Sequence, residues 1–115
     1  MEDILEVLNQ TPGVQGSLIV GKDGLVIASA GSTEQDPDFL GATTAEIYSS
    51  VESGMNERFE RGELDMLCME ANGGNLFFKN INEVTYLLVL TSQDINLGLV
   101  RYDIRRASQA LQEQL

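Results

Sequence analysis

The sequence predicts an α+β domain, a five-stranded sheet with helices on both faces. Three observations predict it. Helical and strand periodicities succeed one another as helix, two strands, helix, three strands, helix. Two segments, Leu18-Ile19-Val20 and Tyr86-Leu87-Leu88-Val89-Leu90, are apolar at every position, and a strand apolar on both sides is normally covered on both sides. Three amphipathic helices are available to cover them. These two strands are therefore expected at the centre of the sheet.

Residues 2–10 read as a short helix, with Ile4, Leu5 and Leu8 on one face, stopped by Thr11-Pro12-Gly13. Val14–Gly21 and Val26–Ala30 flank Lys22-Asp23-Gly24-Leu25. Asp-Gly between β-branched runs signals an antiparallel hairpin, with a type I′ turn that needs positive φ at both central residues. After a polar loop, residues 39–60 form a long helix. Leu40, Thr44, Ile47, Val51 and Met55 make its apolar stripe, Tyr48 and Phe59 lie on the flank, and Arg61-Gly62 is the stop. The next three strands are Leu64–Ala71, Leu76–Asn80 and Val84–Ser92, with turns at Asn72-Gly73-Gly74 and Ile81-Asn82-Glu83. The last helix starts near Asn96 and runs to the end on a stripe of Leu97, Val100, Ile104, Ala107, Leu111 and Leu115. Strand 64–71 falls near an edge. Carrying Met66, Leu67, Cys68 and Met69, it is an open pairing template, and a second copy across a twofold axis is the economical cover.

Composition bounds the function. The 115 residues suit one domain, 1–115, which buries roughly two-thirds of its unfolded surface. There are 7 Lys plus Arg against 18 Asp plus Glu, a net charge of −11, and no histidine. Without imidazole there is no Ser-His or Cys-His nucleophile pair and no histidine metal ligand. Such an acidic chain repels phosphate backbones and anionic lipid, so nucleic acid and membrane surfaces are poor partners. A single cysteine points to a reducing compartment. The acidic N-terminus is unlike a signal peptide, and no apolar run approaches the roughly 20 residues of a membrane helix. A cytoplasmic location is expected. Asn9-Gln10-Thr11 matches a glycosylation acceptor, which has no meaning without secretion.

Several constellations carry a chemical reading. Gly16-Ser17-Leu18-Ile19-Val20-Gly21-Lys22-Asp23 fits G-x-x-x-x-G-K but ends in Asp where a phosphate loop needs Ser or Thr. It also leads into a strand rather than the helix N-terminus that phosphates require, so it is read as hairpin. Cys68 is read as packed in a core or interface, with Asp65 and Glu70 raising its pKa. Ten carboxylates against Arg58 and Arg61 lie between Glu34 and Glu70. They are either a solvated face or a surface that steers a basic partner. No calcium-loop spacing is present, and nothing predicts a cofactor or metal. Ala42, Ala45, Ser49, Ser53 and Asn56 align opposite the apolar stripe of the long helix; from the residues alone they are a solvent face. Arg101, Arg105 and Arg106 sit within the last helix, with Arg101 read as paired to nearby acids rather than as an arginine finger.

Two motifs resemble a known family. Pro12-Gly13-Val14-x-Gly16 with Asp23-Gly24-Leu25-Val26-Ile27-Ala28-Ser29 is similar to the opening hairpin of Roadblock domains. Leu97-Gly98-Leu99-Val100-Arg101-Tyr102-Asp103-Ile104-Arg105-Arg106-Ala107 is similar to their closing helix. The family includes dynein-associated light chains and bacterial gliding regulators of the MglB type. The resemblance implies an antiparallel sheet of profilin-like layering, the long helix on one face and the terminal helices on the other. It implies a homodimer joined at the third strand, through Met66, Leu67, Cys68 and Met69. It further implies a non-catalytic platform for a Ras-like small GTPase, with Ala42, Ala45, Glu46, Ser49, Glu52 and Ser53 as partner contacts. In the MglB type, stimulation of hydrolysis works by repositioning the GTPase's own groups, so no finger is required. The alternatives are a structural adaptor that touches no nucleotide and a small-ligand sensor.

Overall fold

The computed structural model describes all residues, Met1–Leu115. Its elements are α1 (Glu2–Leu8), β1 (Val14–Gly21), β2 (Val26–Gly31), α2 (Pro37–Ser53), β3 (Met66–Ala71), β4 (Gly74–Asn80), β5 (Thr85–Thr91) and α3 (Leu97–Gln112). A π-helical turn, Gly54–Arg58, extends α2. The five strands form one antiparallel sheet in the order β2-β1-β5-β4-β3. The two fully apolar strands are central and β3 is an edge, as the patterning predicts.

The pleat divides the core in two. Ile19, Phe77, Leu87 and Val89 point to the face covered by α1 and α3, meeting Leu5, Leu8, Val100, Ile104 and Leu111. Leu18, Val20, Phe78, Tyr86 and Leu88 point to the α2 face and meet Tyr48 and Leu64. Each such fully buried side chain contributes roughly 1.5–3 kcal/mol, so burial of this apolar set on both faces is what the alternation encodes.

Local chemistry sets the ends of the elements. Asp36 caps α2, its side chain accepting from the Asp38 N–H at 3.1 Å, with Pro37 in the first turn. Asn96 caps α3 by accepting from the Leu99 N–H at 3.1 Å. Asn82 holds the β4–β5 turn, its Oδ1 accepting from the Val84 and Thr85 N–H groups and from Thr85 Oγ1.

Several expectations are corrected. The first hairpin is not closed by a type I′ turn. Gly21 N–H donates to Leu25 C=O around a three-residue loop, and only Gly24 has positive φ, at 94°. Asp23 keeps negative φ and accepts from the Leu25 N–H, a loop that uses one glycine instead of two residues with positive φ. The long helix ends sooner than residue 60, through the π turn and then Glu60, which takes a left-handed φ of 55° ahead of Gly62. That conformation costs a non-glycine residue about 1 kcal/mol. Phe59 leaves the apolar flank and is 69% exposed, while Tyr48, expected on the flank, is the most buried side chain of α2. The third strand begins at Met66, and Leu64 instead tucks under Tyr48, whose hydroxyl donates to the Leu64 carbonyl at 3.4 Å. Leu97, at the start of α3, and Leu115, beyond its end, are exposed, so the buried stripe runs only from Val100 to Leu111.

Candidate functional site

Five of the six candidate contact residues on α2 share one shallow hollow. Ala42, Ala45, Glu46, Ser49 and Ser53 line it, with Asp23 from the hairpin loop closing one side. Nothing in the local pattern of residues marks Asp23 for that place. Gly24 supplies it: the loop passes so near α2 that a Cβ on Gly24 would lie 3.5 Å from Ala42 Cα and 3.7 Å from Ala45 Cβ. Ala45 is half-buried for this reason, while Ala42, Glu46, Ser49 and Ser53 are exposed. Glu52 lies in the adjoining hollow, which shares Ser49 and Ser53 with the first, and its carboxylate is 3.9 Å from Lys22 Nζ. That ammonium also lies 5.5 Å from the centre of the Tyr48 ring, a cation–π contact.

The side chains beneath are fixed. Tyr48 stacks on Tyr86 with ring centres 4.7 Å apart. Burial pushes both phenols above their ordinary pKa; Glu52 adds to the shift at Tyr48, and the Thr44 hydrogen bond opposes it at Tyr86. The neighbouring stripe residues are less settled. Leu40, Ile47, Val51 and Met55 are only half-buried, as are Leu67 and Met69 of β3 and Leu76 and Leu90 beyond them, all on the α2 face. α2 packs chiefly on β1 and β2, its Tyr48 reaches across to Tyr86 of β5 and the core that holds Phe78 of β4, and the side chains nearest the β3 edge stay half-buried.

The third strand splits its side chains between the two faces. Leu67 and Met69 pack with the α2-side core, and Met66 with the α3-side core. Cys68 is exposed in the protomer, which corrects the core half of the core-or-interface expectation. Burial is the largest cause raising its pKa, Glu70 adds to it, and Arg101 of α3 opposes it. Asp65, expected to act on the thiol, is engaged elsewhere. It accepts from the buried Lys79 Nζ of β4 and from Arg105 at 3.0 Å, which together hold its carboxyl below the ordinary value. The pairing expected of Arg101 is thus made by Arg105, and Arg101 is exposed beside Cys68. The arginine triplet is divided by the helix: Arg106 lies over the Tyr102 ring.

The G-x-x-x-x-G-K stretch forms β1 and the hairpin loop, and no helix follows it. No cluster of three or more acidic or thiol side chains has a metal-holding geometry. No helix is long and apolar enough to cross a membrane.

This layering, with one helix on one face and two on the other of a β2-β1-β5-β4-β3 sheet, is that of Roadblock domains. The family model of the Roadblock/LC7 domain matches residues 1–91, and the chain belongs to the Roadblock/LC7 family. Uncharacterized protein MJ1340 of Methanocaldococcus jannaschii is 34% identical over 111 residues, 96% of each chain, so that similarity extends into α3. Among solved structures, a Roadblock/LC7 domain from Streptomyces avermitilis superposes with a TM-score of 0.92 at 19% identity, over 99% of this chain and 96% of that one. Myxococcus xanthus MglB superposes with a TM-score of 0.89 at 25% identity, over 96% and 90%.

Proposed function

We propose that the chain is a non-catalytic, cytoplasmic Roadblock protein, residues 1–115 acting as one domain, that forms a homodimer and regulates a Ras-like small GTPase. The observation that carries this reading is the difference between the two edges of the sheet. β2 is interrupted opposite Ile19 and Val20, where Ile27 is the extra residue of a bulge. Bulges on edge strands discourage further pairing. β3 is regular, in unbroken register with β4 from Met66 to Ala71. It is the edge suited to a second copy. Pairing β3 with its twin would also lay apolar surface over the half-buried Leu67 and Met69, and would bring α2 beside its mate.

Two α2 helices side by side make a docking deck, with Ala42, Ala45, Glu46, Ser49, Glu52 and Ser53 as the contacts. The small residues admit close approach of a partner backbone. Glu46, Glu52 and the nearby Asp23 favour a basic partner surface, and complementary charge acts mostly on the association rate. Family membership and the likeness to MglB point to a small GTPase as that partner.

The test is binding and turnover. The full chain is mixed with each small GTPase encoded in the same genome, loaded with GDP or with GTP, and GTP hydrolysis is followed with and without it. A complex specific to one nucleotide state, with altered turnover, is the expected result. Absence of binding in both states to every such GTPase overturns the reading.

A further inference from the structure

The face opposite α2 has a concave feature that the GTPase reading does not use. α1 and α3 lie together there, and a groove of about 340 Å³ runs between them. Its apolar walls are Ile4 and Val7 on one side, Ala107 and Ala110 on the other. Leu5 and Leu8 anchor α1 in the core, at 0% and 2% exposure, whereas Val7 is 65% exposed. The two alanines leave room for a larger side chain between the helices.

The half-buried carboxylate of the groove has no counter-charge. Asp103 is half-buried in its wall, accepts one hydrogen bond, from Thr11 Oγ1 at 2.8 Å, and forms no ion pair. The cation placed to neutralise it is Arg106, one turn along the helix. Arg106 lines the groove as well, but its guanidinium lies over the Tyr102 ring, 5.8 Å from the centre, and makes no ion pair with Asp103. Glu2, Asp3 and Glu6 make α1 wholly acidic, and the first cationic side chain in the sequence is Lys22.

We infer that this groove docks a basic amphipathic helix of a partner protein, its aliphatic residues entering between Val7 and Ala110 and a lysine or arginine meeting Asp103. Helix-in-groove recognition needs an apolar trough with anchors at helical spacing, which the two walls supply. A charge-assisted bond to a half-buried carboxylate is stronger than a neutral one and fixes the register. Charge selects the occupant. A second copy of this chain would bring its own acidic α1 against Asp3 and Asp103, and like charges placed together oppose association. The inference is independent of the GTPase reading, since it uses the other face of the sheet.

The probe is an amidated peptide of roughly 14 residues, long enough for a marginal helix, with Leu at i, i+3, i+4 and i+7 and Lys elsewhere. A counterpart carries Glu in place of Lys. Each is titrated into the isotope-labelled full chain and followed by amide chemical shifts, at about 0.15 M salt to screen non-specific attraction. The expected result is saturable binding of the Lys peptide alone, with shifts confined to the neighbourhood of Val7, Asp103 and Ala110. Asp103→Asn, which keeps an oxygen for Thr11 to donate to, is expected to weaken it about tenfold, ~1.4 kcal/mol. Val7→Glu, at an exposed position, is expected to abolish it. Shifts spread over the acidic face of α2, equal affinity for the Asn variant, equal binding of the Glu peptide, or no binding up to about 1 mM peptide would each overturn the proposal.

Discussion

Thr44 Oγ1 and Tyr86 OH lie 2.7 Å apart in the buried seam between α2 and β5. The Thr44 hydroxyl also reaches the Leu40 carbonyl, at 2.8 Å. A threonine has one proton to donate, so with that proton directed to Leu40 the phenol donates to Thr44. The bond fixes the helix over the sheet from beneath, on the side of α2 away from the proposed docking surface.

This arrangement predicts unequal effects of removing either hydroxyl. Thr44→Val leaves the Tyr86 donor buried without an acceptor and is expected to lower stability by about 1–3 kcal/mol. Tyr86→Phe leaves Thr44 still bonded to Leu40 and should cost less. In the double variant the cost should be smaller than the two added together. Urea denaturation of the three variants measures this directly.

Asp65 joins β4 to α3 by bonding both Lys79 and Arg105. Because Lys79 is only 8% exposed, Asp65→Asn leaves a buried ammonium without its counter-charge. The expected loss is about 2 kcal/mol, below the ~3–5 kcal/mol of a fully buried pair because the Asp65 carboxylate itself is largely solvated. The folded pKa of Asp65 is depressed, so its contribution is fully present above the ordinary carboxylate value of about 3.9. It is lost as the pH falls from there through the depressed folded value. Thermal melts of wild type and variant between about pH 7 and pH 2 should therefore converge at the acid end.

The open edge and the half-buried side chains behind it are tested by Leu67→Lys combined with Met69→Lys. Lysines on an edge strand oppose pairing, and neither position is fully buried in the protomer. Light scattering should then give a single-chain mass for the variant and a two-chain mass for the parent. A two-chain variant mass would place the interface elsewhere.

Two glycines of one helical segment should respond oppositely to alanine. A Cβ on Gly41 would meet the Gly24 carbonyl oxygen and Val26 Cγ2, each at 2.8 Å, whereas one on Gly54 would meet nothing within 4 Å. Gly41→Ala is expected to destabilise by about 1–3 kcal/mol through overpacking. Gly54→Ala should stabilise by roughly 0.4–1 kcal/mol by lowering the entropy of the unfolded chain. Melting temperatures of the two variants check the sign.

The order of elements and the layering were legible because they follow from local periodicity. An unbroken apolar run such as Tyr86–Leu90 is satisfied only between two covering layers, and its neighbours in the chain suffice to reveal it. The small residues of α2 were legible as a stripe, but by themselves they read as a solvent face, and only the family resemblance makes them candidate contacts. What escaped were relationships between distant residues. Asp65 is 14 positions from Lys79 and 40 from Arg105, whereas proximity along the chain ties it to Cys68. Arg101 reaches Cys68 only because α3 packs behind β3.

The amino-acid order by itself determined where the chain is helix, where it is strand and which strands lie inside, since those depend on spacings of 2 and 3.6 residues. Tertiary structure alone decided that Asp23 shares a hollow with α2, that Arg105 rather than Arg101 finds the carboxylate, and that β2 is bulged where β3 is regular. Each depends on how helices and strands settle against one another. Packing selects those contacts through close-range repulsion and burial, terms that periodicity along a single segment does not contain.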